Sequence, residues 1–139
     1  GVFFFACNMD PSGVKEFEFT PILGRCIGRH RQDYRQLSAT PEQFDEFSAA
    51  VGLMQRTQPN YTVHDLAEIS VPVVIVQSEH DEFIKRAHAE YLARSIPNAE
   101  FVALPGVSHF APLQRPAQFN RAMLAFLGKT QQRDPSIFY

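Results

Sequence analysis

Two turns in the second half of the chain carry, in order, a carboxylate and an imidazole. Asp81 follows the apolar run VPVVIV in the segment VPVVIVQSEHDEFI (71–84), and His109 follows a second apolar run in AEFVALPGVSHFAP (99–112). Each is expected about five residues past the end of its strand, and open α/β sheets place their sites beyond the carboxyl ends of strands. One helix and one strand fill the interval between the two residues, the length of a single crossover, so neighbouring strands would deliver both turns. A carboxylate that accepts from a histidine Nδ1–H fixes the tautomer, stabilises the imidazolium and frees Nε2 to act as general base. Such a pair needs a nucleophile to activate. No G-x-S-x-G elbow occurs in the 139 residues.

Other readings of the same residues stand beside this one. Asp81 precedes EFIKRAHAEYLARS and has the position of a helix N-cap. Glu79 and Glu82 are rival acids, and His109 alone would serve as a hydrogen-bonded loop histidine. Ser108 and Ser12, the latter in a D-P-S-G turn, have turn chemistry rather than elbow chemistry. His80, His88 and His109 with Asp81 offer metal-ligand atoms, but there is no H-E-x-x-H, and His80 and His88 straddle a predicted helix start. No G-x-G-x-x-G follows a strand. Neither a metal nor any other cofactor is expected.

The elements that would position the pair are legible in outline. Val2 to Cys7 is a continuous apolar run, as in a strand covered on both faces. Further strands are expected at 71–76 and 100–104, the latter stopping at Pro105-Gly106. A helix is expected at 20–37, with Thr20 as N-cap, Pro21 at the first position and a stripe of Leu23, Cys26, Ile27, His30, Tyr34 and Leu37. A second helix follows a capping box in Thr40-Pro-Glu-Gln43, with Phe44, Phe47, Val51 and Met54 on one face. The helix at about 84–96 points Ile84, Ala87, Tyr91, Leu92 and Ser95 inward and spaces Glu90 and Arg94 for an ion pair. The last helix opens at Pro116, buries Phe119, Ala122, Met123, Phe126 and Leu127, and ends at Gly128, leaving 129–139 as a frayed tail. The two helices interrupt the strand pattern for too long to be a simple crossover. We therefore expect an inserted helical cap at 11–65 on a core of 1–10 and 66–139.

The order acid then base, on strand-to-helix turns, resembles the C-terminal part of a capped α/β-hydrolase. The likeness is carried by Leu66 to Leu127, with EYLARSIPNAEFVALPGVSHF (90–110) at its centre and a terminal helix after a proline. The opening FFFACNMDPSGVKEF (3–17) resembles the strand after the nucleophile helix, from which the cap departs. The resemblance implies an α/β fold of about three parallel strands with helices, Asp81 as the triad acid and His109 as the base. It also implies a nucleophile elbow and an oxyanion loop upstream of residue 1. Many members carry Gly where Ser78 or its neighbour stands here.

Composition fits that class without naming a substrate. The hydrophobic fraction is 45%, the charged fraction 20% and the net charge −2, so no electrostatic case exists for nucleic acid or an anionic membrane as partner. No signal-peptide pattern opens the chain, and its longest apolar run is too short for a bilayer. Cys7 and Cys26 do not make a disulfide framework and are expected as buried free thiols, which suits the cytoplasm. Two functions are carried forward. One is the C-terminal portion of a hydrolase cleaving an ester, thioester or related bond in a small apolar substrate. The other is a non-catalytic remnant acting as an interaction module. Without an upstream neighbour the strand at 2–7 would bare Phe3, Phe4 and Phe5, so the 139-residue chain is expected to pair with itself through this strand, most simply as a dimer, unless an upstream half covers it in the native protein.

Overall fold

Three apolar runs set the sheet. In the computed structural model, which describes residues 1–16 and 19–133, they form β1 (Val2–Phe5), β2 (Val73–His80) and β3 (Ala99–Ser108). The strands are parallel, in the order β1-β2-β3. Val73 to Ser78 of the central strand are buried throughout, which is why the sequence there shows no polar alternation. Alternate side chains feed two cores. Val73 and Ile75 meet Met9, Leu66, Leu92 and Ile96, while Val74 and Val76 meet Leu104, Val107, Ala111 and Phe126. Each such side chain contributes roughly 1.5–3 kcal/mol when fully buried.

Helices cover both faces, as parallel strands require. Three helices form an insertion between β1 and β2: α1 (Pro21–Leu37), α2 (Phe44–Thr57) and α3 (Val63–Ala67). A 3-10 turn at Pro11–Gly13 leads into them. Then α4 (Arg86–Ser95) carries the chain from β2 to β3 over the first core, and α6 (Pro116–Arg133), after the single turn of α5 (Ala111–Gln114), closes the second. Among the described residues no helix is long and apolar enough to cross a membrane. Phe3 and Phe5 are half-buried, their rings edge-to-face with Phe119 at 5.6 and 5.0 Å, and Phe4 packs on the α4 side. The expectation that these three rings lie bare is therefore corrected.

The strands outrun their apolar centres. β2 continues to His80 and β3 passes through Pro105-Gly106 to Ser108, so Asp81 and His109 stand directly after their strands rather than five residues beyond. β3 pairs only with β2 among the described residues, and an edge strand accommodates a proline that lacks an N–H. Gly106 takes φ 66°, and the ladder shifts register between Ser78 and His80.

Several helix details also differ. Thr20 caps α1 as expected, its Oγ1 accepting from Leu23 N at 3.1 Å, but only Leu23 of the stripe is fully buried and Leu37 is 84% exposed. α2 begins at Phe44 with Gln43 at its N-cap and no side-chain cap bond, so the expected capping box at Thr40 does not form; the Thr40 hydroxyl bonds Tyr34 and Ser38 instead. The capping box is instead Thr62 with Asp65, at the start of α3. α4 starts at Arg86 and turns His88, Ala89 and Leu92 inward, leaving Ala87 and Tyr91 exposed. Its ion pair is Arg86 with Glu90 at 2.8 Å, not Glu90 with Arg94. α6 runs past Gly128 to Arg133 and leaves Leu127 exposed; a glycine inside a helix costs only about 1 kcal/mol. The expected tail thus begins as helix, and 134–139 lie outside the described residues.

Candidate active site

The turn after β2 is built by its own carboxylate. Asp81 Oδ1 accepts from the amides of Phe83 and Ile84, both at 2.8 Å, and the residue is 2% exposed. Ile84 pairs across an isolated antiparallel bridge with Val14. Lys15 N donates to Phe83 O at 2.7 Å and Lys85 N to Gly13 O at 2.9 Å, while Lys15 Nζ donates to Asp81 O at 2.7 Å. The segment leading into the helical insertion is thereby fastened to the acid turn.

His109 follows β3 and meets that carboxylate. Its Nδ1 lies 3.2 Å from Asp81 Oδ1 and 3.1 Å from Oδ2. The acid side chain is 1% exposed and the histidine 28%, so the carboxylate sits beneath and the imidazole reaches outward. Phe83 stands edge-on to the imidazole at 4.8 Å, with Phe110 at 5.5 Å. The rival acids have other partners: Glu79 Oε2 accepts from Gly106 N at 2.8 Å, and Glu82 Oε2 from His109 N at 2.9 Å.

The other residues singled out from sequence fall outside this pair. Ser108 is bracketed by Gln114, which accepts from its amide at 2.8 Å and donates to its hydroxyl at 2.9 Å. Ser12 belongs to the turn capped by Asp10. The three histidines considered as metal ligands do not converge. His80 lies beside Glu79 at 3.7 Å on the surface, and buried His88 accepts from Met9 N at 3.1 Å. Among the described residues no group of three His, Cys, Asp or Glu side chains is placed to hold a metal ion. Cys7 and Cys26 are free and half-buried. Burial pushes the Cys7 thiol up to about 11, which keeps it protonated and unreactive at neutral pH.

His109 and Phe110 open onto a cavity of about 870 Å³ between the strand ends and the helical insertion. Phe83, Ile84, Leu23, Tyr34, Phe44 and Phe47 supply much of its wall, with His30 of α1 facing Phe110 at 5.8 Å. That volume lies in the range of small-molecule sites. Ala6, also in the wall, holds φ 48°, a left-handed conformation unusual for a residue with a Cβ. Sequence reasoning missed Lys15, the partners of Glu79 and Glu82, and the strained Ala6. The apolar stripes on α1 and α2 were the signs of the cavity: Leu23, Ile27 and Tyr34 from the first and Phe44, Phe47 and Val51 from the second line it.

Comparison with known proteins agrees with this architecture. Over 121 residues the chain is 28% identical to the 2-hydroxy-6-oxononadienedioate/2-hydroxy-6-oxononatrienedioate hydrolase 2 of Pseudomonas putida. It is 26% identical over 121 residues to the corresponding hydrolase of Burkholderia vietnamiensis. Each match covers 85% of this chain and 37% of the relative, so the chain spans little more than a third of these curated relatives. The solved structure of Rv0554 from Mycobacterium tuberculosis superposes with a TM-score of 0.53 at 14% identity, over 92% of this chain and 56% of that one. The model of the Alpha/beta hydrolase family matches residues 9–122, and the chain belongs to that family.

Proposed function

We propose that this chain carries the base and the orienting acid of a hydrolase, with His109 as base and Asp81 as acid. Its nucleophile is supplied from outside the 139 residues. The observation that carries the reading is the Asp81 carboxylate at 3.1–3.2 Å from His109 Nδ1, with the imidazole opening onto the cavity. A carboxylate there favours the Nδ1–H tautomer and leaves Nε2 with a lone pair. Nε2 then takes the proton of a nucleophilic O–H or S–H as it attacks a carbonyl carbon, and returns it to the leaving group. Asp81 stabilises the imidazolium in between.

The helical insertion is read as a cap over the substrate cavity, and the aromatic wall suits a small apolar molecule. The bond cleaved is an ester, thioester or related bond beside a carbonyl. The names of the two curated relatives, hydrolases of 6-oxo compounds, support a carbonyl-centred reaction. The lack of a G-x-S-x-G elbow in the sequence favours an external nucleophile over Ser12 or Ser108.

The test is to express the reading frame extended upstream and to measure turnover of short p-nitrophenyl esters and of 6-oxo dienoates. Saturable turnover is expected from the extended protein, lost in His109→Ala, with none from the 139 residues alone. Turnover by the 139-residue chain that depends on His109 would overturn the assignment of the nucleophile. An extended protein with no elbow and no turnover would favour the interaction-module reading.

A further inference from the structure

Three consecutive residues of the acid turn touch three different portions of His109. Asp81 reaches the ring Nδ1, Glu82 Oε2 accepts from the main-chain N–H at 2.9 Å, and Phe83 stands edge-on to the ring at 4.8 Å. The Asp81 contact fixes the ring nitrogen, and the main chain on either side is tied at Ser108 N to Gln114 and at Phe110 N to the Ser108 hydroxyl, which leaves the His109 amide itself to Glu82. A charge-assisted bond to that amide fixes the main chain at the point from which the ring projects. We infer that Glu82 is a positioning residue for His109, holding its backbone so that the ring stays aligned with the Asp81 carboxylate. The inference rests on His109 being the base.

The geometry separates this role from that of Asp81. The Glu82 carboxylate bonds the main-chain amide of His109, whereas both Asp81 oxygens face the ring nitrogen. Glu79 acts similarly three residues upstream, holding Gly106 N where the strand bends at positive φ. Glu82 is nearer the chemistry, since its bond falls on the histidine itself.

The test reads the imidazole directly. Long-range 15N spectra of the 139-residue chain, at a pH where the ring is neutral, are expected to show His109 as a single Nδ1–H tautomer. Glu82→Ala should lose that single tautomer, giving averaged ring-nitrogen signals. Glu82→Gln keeps an oxygen that accepts from the His109 amide and should retain it. A single Nδ1–H tautomer in Glu82→Ala, or averaging in Glu82→Gln, would overturn the inference. The buried Met9 N–H to His88 bond reports on the fold in the same spectra; its loss in Glu82→Ala would also overturn the inference, by showing that Glu82 supports the whole fold. Asp81→Asn is the separate control for the underlying reading. Its amide should flip His109 to the Nε2–H tautomer, and an unchanged ring there would sink the Asp81–His109 assignment whatever Glu82 does.

Discussion

Asp81 and His109, 28 residues apart, meet through a carboxylate that also organises its own turn. Oδ1 accepts from Phe83 N and Ile84 N while both oxygens face His109 Nδ1. The capping and orienting readings of Asp81 are therefore one arrangement. Two amides pin the carboxylate, and the pinned carboxylate sets the direction in which the imidazole points. Polar groups linked in this way in a dry environment reinforce one another.

Asp81→Ala should consequently destabilise the fold as well as free the histidine. It strips two amides, one of them buried, of their acceptor, at a cost of about 1–3 kcal/mol. Asp81→Asn keeps an oxygen for both amides and should lose clearly less. Urea unfolding of the two variants checks this, and equal losses would show that the amide bonds contribute nothing.

His88 predicts a pH dependence away from the site. Burial holds its pKa below the ordinary 6.5, with Asp10 pulling it up and Lys85 pushing it down, and Tyr91 packs beside it at 5.9 Å. Neutral His88 accepts from Met9 N, and protonation removes that lone pair. The fold thus favours the neutral ring. Its contribution should be complete above about 6.5 and decline as pH falls through the lower folded value. His88→Gln retains an acceptor and should flatten this portion of the stability profile below about pH 6.5, read by urea unfolding at a series of pH values.

Gly13 is required by the same histidine. A Cβ there would lie 2.5 Å from the His88 ring, which is buried and cannot swing aside. Gly13→Ala should cost about 1–3 kcal/mol, the usual range for overpacking. Thermal melts check it, and the pair Gly13→Ala with His88→Ala should recover some of the loss.

The isolated 139 residues should self-associate through the backbone edge of β1. Among the described residues β1 pairs on one side only, with β2, and an unpaired strand edge is a template for another chain. Because Phe3, Phe4 and Phe5 are already half-buried, the open ladder rather than bare rings is the sticky element. A two-fold dimer is expected at micromolar concentration. Sedimentation velocity decides, and a monomer that stays monomeric on concentration would refute the pairing.

What the sequence determined by itself was whatever depends on neighbours along the chain. The unbroken apolar runs at 2–7 and 71–76 marked strands buried on both faces, Thr20-Pro21 and Pro116 marked helix starts, and the order of Asp81 before His109 marked the two turns. The family resemblance singled out Asp81, but spacing alone did not separate it from Glu79 and Glu82, since all three stand within four positions and share one chemistry. Only the register of β2 on β3 assigned Asp81 to Nδ1, Glu82 to the amide of His109 and Glu79 to that of Gly106. The strand ends, the inward phase of α4 and the Gly13–His88 contact were likewise decided by segments far apart in sequence. A hydrogen bond or a clash between distant residues leaves no periodicity in either segment alone, so it is fixed only when the sheet brings them together.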